Sequence, residues 1–430
     1  MQITNSPDRT HIPQIILPEK IVIAHAEKFT LDNGIAVYSV SAGTQDVLKI
    51  EFVFTDKSTS HNPLLLYAAN KLIREGTAKH SAQEISEMLD FYGAYLEAES
   101  SPDFSSIVLF TLSKYANETL NILAEVLFEA EYPEHELDIY KANSIQHLRY
   151  NKEKVAYMAR KKINEVLYGA QHPYGYSETE EDYNSLHHES LGRFYKKYYR
   201  ADNCNVFIAG KNSEKIISTL NTIFGNKSWL GEKESNGSEK VIAPASEKKH
   251  FVPKEGALQS AIRIGKRIPD KKHPDFLPLQ ILNTVLGGYF GSRLMSNIRE
   301  DKGFTYGINS ILGSMLHSGF FVIATEVRGE VTQHALDEIY KEMKRLSSEP
   351  VPDKELEMVR NYMLGSFMRS VDGAFHLSDR CKSVVLFEMD YNFYDRYMEA
   401  IHSTTPESMM ELAAKYFSED SFYEVVAGKR

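Results

Sequence analysis

Apolar and polar positions along the chain change period several times, which predicts an alternation of strands and helices. Near the start, the runs FTL at 29–31 and IAVYSV at 35–40 flank the turn Asp32-Asn33-Gly34, and this pattern predicts a β-hairpin. A third strand is predicted at 48–55 (LKIEFVFT). Apolar residues then recur at helical spacing from Asn62 to Arg74. Further helices are predicted from Asn117 onward and from Pro133 to about Lys162.

The same pattern occurs twice. Residues 133–137 (PEHEL) match residues 352–356 (PDKEL), and each segment follows a predicted strand and a predicted helix of similar length. Between them, residues 231–249 are polar, charged and interrupted by Gly and Pro, as in a linker. We therefore predict two copies of one α+β module, at 1–230 and 250–430, each with a mixed, mostly antiparallel sheet packed against helices.

Composition agrees with this size and excludes several classes of partner. A chain of 430 residues exceeds the length at which one hydrophobic core stops growing. The formal net charge of −10 opposes general attraction to nucleic acid or to anionic lipid. No stretch of about 18 apolar residues predicts a membrane span. We expect a cytoplasmic protein, or a periplasmic one if a signal peptide has been removed.

Common catalytic motifs are missing from the sequence. There is no G-x-S-x-G, Walker loop or phosphate-binding G-x-G-x-x-G. The two cysteines, Cys204 and Cys381, form no C-x-x-C pair and are predicted to be buried free thiols. No nucleophile or ligand cluster supports an independent hydrolase, which makes that the weakest functional hypothesis.

The segment 287–307 (GGYFGSRLMSNIREDKGFTYG) holds the most informative candidate residues. A helix is predicted with Ser292 as its N-cap and Gly303 at its end, and a strand is predicted to follow. Arg299 in the last turn and Tyr306 in the strand would then converge. A guanidinium and a phenol are suitable donors to a carbonyl oxygen that gains negative charge during peptide hydrolysis. The alternative is that the arginine only complements the helix dipole and the tyrosine only packs in the core.

Four segments together carry a family resemblance. They are 287–307, 75–100 (EGTAKHSAQEISEMLDFYGAYLEAES), 167–175 (LYGAQHPYG) and 198–210 (YYRADNCNVFIAG). With them, the chain resembles the insulinase or pitrilysin (M16) family of zinc metallopeptidases, which includes mitochondrial processing peptidase. The resemblance implies paired α+β modules that form half of a clam shell around a substrate chamber. It also implies that Arg299 and Tyr306 bind the substrate carbonyl.

The same resemblance shows where the zinc ligands should lie. The family's H-x-x-E-H motif falls on Tyr67, Asn70 and Lys71, and its downstream glutamate ligand falls near His147. A catalytic zinc needs three protein ligands and an open position for water. Tyr67 carries a protonated phenol at neutral pH, Asn70 cannot accept a proton from water, and Lys71 brings a second cation. We therefore expect no zinc on this chain.

Two functions remain open. The first is the zinc-free subunit of a two-chain peptidase, in which a partner supplies H-x-x-E-H and zinc while this chain supplies Arg299 and Tyr306. Bacterial and mitochondrial family members divide the work in this way, and the substrate would be an unfolded peptide. The alternative is a structural or peptide-holding protein, like the family's core subunits of a respiratory complex. Arg299 buried in an ion pair, or a homodimer with closed clefts, would favour that alternative.

Overall fold

Two mixed β-sheets form the framework of the molecule. The structure is a computed structural model that describes residues 10, 21–55, 62–229 and 241–429. The first sheet has the order β1-β2-β6-β3-β5-β4 and the second the order β7-β11-β8-β10-β9. The strands are β1 (Glu27–Thr30), β2 (Ala36–Ser41), β3 (Val47–Thr55), β4 (Tyr95–Ser100), β5 (Phe104–Leu112), β6 (Cys204–Gly210), β7 (Lys249–Pro253), β8 (Gln259–Ile268), β9 (Thr305–Ser314), β10 (Gly319–Arg328) and β11 (Tyr423–Gly428).

The two sheets share one topology. In the first, β2 pairs parallel with β6, and antiparallel pairs then join β6 to β3, β3 to β5 and β5 to β4. In the second, β7 pairs parallel with β11, and antiparallel pairs join β11 to β8, β8 to β10 and β10 to β9. The first sheet adds only β1, which forms the predicted hairpin with β2. The prediction of two related α+β modules is confirmed.

Helices lie between and beside these strands. The α-helices are α1 (Pro63–Leu72), α2 (Ala82–Phe91), α3 (Ala116–Phe128), α4 (Glu134–Lys152), α5 (Val155–Tyr168), α6 (Glu180–Asn184), α7 (His188–Tyr198), α8 (Ile217–Phe224), α9 (Phe276–Asn283), α10 (Thr332–Ser348), α11 (Asp353–Arg369), α12 (Ala374–Leu386), α13 (Asn392–Ser403) and α14 (Pro406–Tyr416). Two π-helical segments, Thr284–Gly288 and Met295–Asp301, follow α9.

The sequence repeat marks equivalent helix starts. Pro133 precedes α4 with φ −55° and ψ 140°, and Pro352 precedes α11 with φ −57° and ψ 139°. The predicted single helix from Pro133 to Lys162 is wrong, because Lys154 adopts an extended conformation with φ −95° and ψ 121° and separates α4 from α5. This break redirects α5 towards the other module.

One helix of each module packs against the sheet of the other module. The helix α5 packs against β8 and β11, where Ile163 and Val166 join one buried apolar cluster with Ala261 and Val425. In return, α12 packs against β2 and β6 of the first sheet. There Ala374 and Leu377 contact Val40 and Ala209, while Cys381 contacts Val53 and Phe207. The exchange means that neither sheet is fully covered by its own module.

The predicted linker is only partly within the described residues. Residues 231–240 lie outside them, so the flexibility expected there stays a prediction. From 241 to 248 the chain has no helix or strand but is anchored to α5, since Ala243 N and Ala245 N donate to Tyr168 O and Val166 O at 3.2 and 2.8 Å. The module boundaries at 230 and 250 also stay a prediction.

Two further features follow from burial and helix length. Cys204 and Cys381 are free and buried, as predicted. Among the residues that the structure describes, no helix is both long and apolar enough to span a bilayer.

A buried group of charges fixes α12 onto the first sheet. Glu51 on β3 is 1 % exposed, and its Oε1 accepts a hydrogen bond from Lys382 Nζ on α12 at 2.7 Å. Its Oε2 lies 3.5 Å from Lys49 Nζ without a hydrogen bond of normal geometry. Lys49 Nζ also donates to Asp379 of α12 at 2.7 Å. Burial acts to lower the pKa of Lys49, but attraction to Glu51 and Asp379 outweighs it and the pKa is raised.

We predict that Glu51→Gln destabilises the whole chain. The substitution removes the carboxylate 2.7 Å from the mostly buried Lys382 and leaves it only Asp379 at 3.8 Å. Loss of one partner from a buried ion pair typically costs about 3–5 kcal/mol. Denaturant unfolding followed by circular dichroism measures the change. The control is Glu357→Gln on the exposed face of α11, which should leave the midpoint nearly unchanged. Equal midpoints for the two variants would show that the buried charges contribute little to the fold.

Candidate functional site

Two glycines, Gly287 and Gly288, end the first π-helical segment and precede the segment that carries Arg299 and Tyr306. A Cβ atom on Gly287 would lie 2.7 Å from both the backbone N and the Oγ of Ser310 on β9. Only glycine therefore lets this turn approach the strand so closely. Gly303 adopts φ 63° and ends the second π-helical segment, as predicted.

The predicted helix differs in two respects from expectation. It is π-helical from Met295 to Asp301, with Lys302 N bonded to Asn297 O at 3.0 Å. Ser292 makes no side-chain cap, because its hydroxyl is buried and has no hydrogen-bond partner among the described residues. A serine predicts an N-cap from its neighbours in sequence alone. The π-helical turn, which is wider than an α-helical turn, depends on packing against β9. Single π-helical turns are rare and are often found at functional sites.

Arg299 and Tyr306 are brought together at the edge of the second sheet. Arg299 Nε donates to the backbone O of Tyr306 at 3.0 Å. The guanidinium carbon lies 4.8 Å from the ring centre of Phe290 and 6.0 Å from that of Tyr306. The nearest carboxylate oxygen, of Glu300, is 3.8 Å from Nη1, which is longer than a hydrogen bond. A carbonyl oxygen and an aromatic face thus orient the guanidinium, which forms no close ion pair with Glu300.

Both side chains are accessible to a ligand. Tyr306 is 95 % exposed, and the Arg299 side chain is 30 % exposed. Tyr306 lines an open groove of about 1250 Å³ that both modules form. Its walls are the junction of α4 and α5 near Lys154, the loop 254–258, and the ends of β9 and β10 near Arg328.

The predicted positions of the family's zinc motif, Tyr67, Asn70 and Lys71, all lie on α1. Asn70 is 1 % exposed, and its Nδ2 donates to Glu99 O at 2.7 Å while its Oδ1 accepts from Tyr199 Oη at 2.9 Å. It therefore ties α1 to the edge strand β4 and to the end of α7. Lys71 and His147 are both exposed.

Tyr67 stands beside carboxylates but remains a phenol. Burial, together with the negative charges of Glu178 and Asp103, raises the pKa of Tyr67 to about 12. Its hydroxyl stays protonated at neutral pH, so it is a poor metal ligand. Among the described residues, no group of three or more His, Cys, Asp or Glu side chains is arranged to hold a metal ion.

Sequence reasoning missed the group that faces Tyr67. Glu178, just before α6, accepts hydrogen bonds from Lys161 Nζ at 2.5 Å and from Tyr157 Oη at 3.2 Å, both on α5. Its charge also helps to raise the pKa values of nearby tyrosines on α4 and α6, Tyr140 and Tyr183, although burial is the larger cause. An ion pair surrounded by phenols thus lies beside Tyr67 of α1. No motif in the sequence indicates it, because its members come from four separate elements.

A second missed group connects the two modules. Asp103, in the turn between β4 and β5, accepts hydrogen bonds from Tyr174 Oη and from the backbone N of Leu316 at 3.0 Å. The backbone N of His317 donates to Tyr174 Oη at 3.3 Å. The turn of the first sheet is thereby joined to the turn between β9 and β10 of the second.

Comparison with known proteins shows similarity to one peptidase family. Residues 185–363 match the family described as Peptidase M16 inactive domain. A Bacillus subtilis protein named uncharacterized zinc protease YmxG is 27 % identical over 399 residues, which cover 92 % of this chain and 96 % of that protein. The predicted resemblance to M16 peptidases is confirmed.

Solved structures show the same fold at low sequence identity. A peptidase M16 inactive domain from Pseudomonas fluorescens has a TM-score of 0.83 and 21 % identity, covering 94 % of this chain and 98 % of that one. A protease from Helicobacter pylori has a TM-score of 0.85 and 17 % identity, covering 95 % and 100 %.

We predict that Asn70→Glu, which restores the family's glutamate, destabilises the chain. The new carboxylate would be buried beside the carbonyl oxygens of Glu99 and Ser106, which now face the Asn70 amide. An uncompensated buried charge costs about 3 kcal/mol or more unless the group becomes protonated. Denaturant unfolding at pH 7 measures the loss. Lys71→Glu, at the next and exposed position, is the matched control, and equal effects of the two substitutions would contradict the structural role of Asn70.

The close approach of Gly287 to β9 gives a second stability prediction. Gly287→Ala should cost about 1–3 kcal/mol, as overpacking of a tight contact typically does. Gly307→Ala is the matched control, because a Cβ atom there meets nothing within 4 Å. The measurement is the urea concentration at which each of the two variants is half unfolded. If both alanine variants unfold at the wild-type midpoint, the turn has more room than the geometry indicates.

Proposed function

We propose that this chain, which resembles M16 peptidases but carries other side chains at the predicted positions of their zinc ligands, is the zinc-free subunit of a two-chain metallopeptidase. A partner with H-x-x-E-H supplies the zinc and its bound water. This chain supplies Arg299 and Tyr306, which bind the carbonyl oxygen of the scissile peptide. The division leaves proton transfer to the partner, since Asn70 replaces the family's glutamate base.

The orientation and exposure of Arg299 and Tyr306 carry this proposal. The Arg299 guanidinium is held by one bond from Nε and by stacking on Phe290, and Nη1 has no hydrogen bond to Glu300. A donor that is already oriented stabilises developing charge without reorganising during the reaction. The exposed Tyr306 can add its hydroxyl from the neighbouring strand.

The proposed substrate is an unfolded peptide that extends a sheet edge. Among the described strands, β4 and β9 each end their sheet with one side unpaired. Tyr306 lies on β9, so a peptide strand added along this edge would pass its side chain. Main-chain hydrogen bonds of this kind give affinity without requiring a particular sequence. The groove lined by Tyr306 offers room for the rest of the peptide.

A second candidate function is a peptide-holding or structural homologue without a part in hydrolysis. The hydrogen-bonded Asn70 and the paired Glu178 and Lys161 favour it, because the former zinc region is stabilised as protein interior. The partial exposure of Arg299 opposes it, since an arginine kept only for structure would be expected in a close ion pair.

The two functions differ in what Arg299 and Tyr306 do in a mixture with the zinc-bearing partner. We first expect a similar-sized H-x-x-E-H chain with bound zinc to copurify with this chain from native extract. Arg299→Ala and Tyr306→Phe should then each lower the turnover of a quenched peptide by about 10²- to 10³-fold, as loss of one oxyanion donor does. Initial rates at saturating peptide measure this effect.

Lys302→Ala is the matched control, since Lys302 is an exposed cation at the end of the same helix. It should leave turnover close to the wild-type value. Each variant is checked for copurification, so that a lost complex is not mistaken for lost chemistry. Full activity with both Arg299→Ala and Tyr306→Phe in an intact complex would refute the proposed role and favour the non-catalytic alternative.

A further inference from the structure

A cleft between α9, α13 and α14 lies away from the Arg299 and Tyr306 segment and has no part in the proposed function. Its volume is about 510 Å³, within the range of small-molecule sites. Apolar side chains from all three helices form its walls, namely Leu277, Phe393, Ala400, Met409 and Leu412.

Charged residues surround the mouth of this cleft, and most of them already have opposite charges nearby. Lys272 Nζ lies 3.6 Å from Glu388, and Arg396 Nη1 lies 3.6 Å from Asp390. His273 Nδ1 lies 4.0 Å from Asp275. Glu399 is the one acidic side chain among the described residues that line the cleft.

Lys271 differs from these cations. Its Nζ donates to Ser383 Oγ at 3.1 Å and lies 4.0 Å from the ring centre of Phe387. Within the described part of the chain, it forms no ion pair, and the charged group that acts on it is another cation, Arg380. Burial, with a smaller contribution from Arg380, lowers the pKa of Lys271 to about 8. A half-buried ammonium group without a counterion is costly, and the cost falls if an anion binds beside it.

We propose that this cleft binds a ligand with an apolar chain that ends in a single carboxylate. The chain packs against Leu277, Phe393 and Met409, and the carboxylate pairs with Lys271 at the mouth. Both features are needed, because the apolar side chains contact the chain and the cation offers little to an uncharged apolar molecule. A fatty acid and the free C-terminus of an apolar peptide share this chemistry.

The test uses octanoate as the probe and octanol as its uncharged counterpart. Octanoate should bind one site on the intact chain and shift the methyl NMR signal of Met409, which is assigned with Met409→Leu. Lys271→Gln should weaken octanoate binding by about tenfold or more, as loss of a charge-assisted hydrogen bond does, and should not affect octanol. Lys272→Gln is the matched control at the same mouth and should weaken binding less than twofold, since Lys272 already faces Glu388.

Further arms separate the two ligand sources and test the location. Acetyl-Leu-Leu with a free carboxylate is compared with its amide, and stronger binding than that of octanoate would identify a peptide C-terminus as the ligand. Ala400→Phe fills the cleft and should abolish binding while thermal unfolding stays close to that of wild type. If Ala400→Phe unfolds at a lower temperature than wild type, the shift of the Met409 signal in the wild-type chain still tests whether octanoate binds in this cleft.

Three results would overturn the proposal. The first is the absence of any Met409 shift with octanoate. The second is equal weakening by Lys271→Gln and Lys272→Gln, which would indicate general attraction by surface charge. The third is octanol binding as tightly as octanoate, which would remove any role for Lys271.

Discussion

The exchange of α5 and α12 between the two modules is the constraint on which the rest of the structure depends. Each helix fills the face of the opposite sheet, so the two sheets cannot separate without exposing two apolar clusters at once. The buried Glu51 adds a directional element, because its bond to Lys382 fixes where α12 lies along the first sheet. Both modules also line the groove beside Tyr306, so the same exchange of helices joins its two sides.

The duplicated topology places the two predicted sets of site residues in equivalent parts of the chain. In the first module, α1 and α2 connect β3 to β4, and in the second, α9 and the π-helical segments connect β8 to β9. The predicted zinc-motif positions and Arg299 therefore lie in equivalent connections of two related units, and Tyr306 follows at the start of β9. In the first unit, this connection is stabilised internally through Asn70 and Tyr199. In the second, it remains open at the surface and keeps polar groups directed outwards.

The features that sequence could predict are those determined by neighbouring residues. The hairpin at Asp32-Asn33-Gly34 and the helix start after Pro133 are both local, and both are confirmed. The break at Lys154 was not predicted, because the residues on both sides of it favour a helix. Only the packing of α5 on the second sheet requires the chain to change direction there. Glu178 with Lys161, and Glu51 with Lys382, were missed for the same reason. Their partners are distant in sequence and no spacing reveals them.

Two exposed aromatic rings flank Arg299. Phe290 is 64 % exposed and Tyr306 is 95 % exposed, although burial of an aromatic side chain is favourable by about 1.5–3 kcal/mol. Two exposed aromatic rings on either side of an arginine form a surface that is stabilised when another molecule covers it. Tyr and Arg are also the residue types that dominate the binding energy of protein interfaces. Because Nε of Arg299 is already engaged by the Tyr306 carbonyl, the η nitrogens are the donors left for a molecule that covers the rings. Covering the rings excludes water, which strengthens charge-assisted hydrogen bonds such as the proposed bond from Arg299 to a carbonyl oxygen.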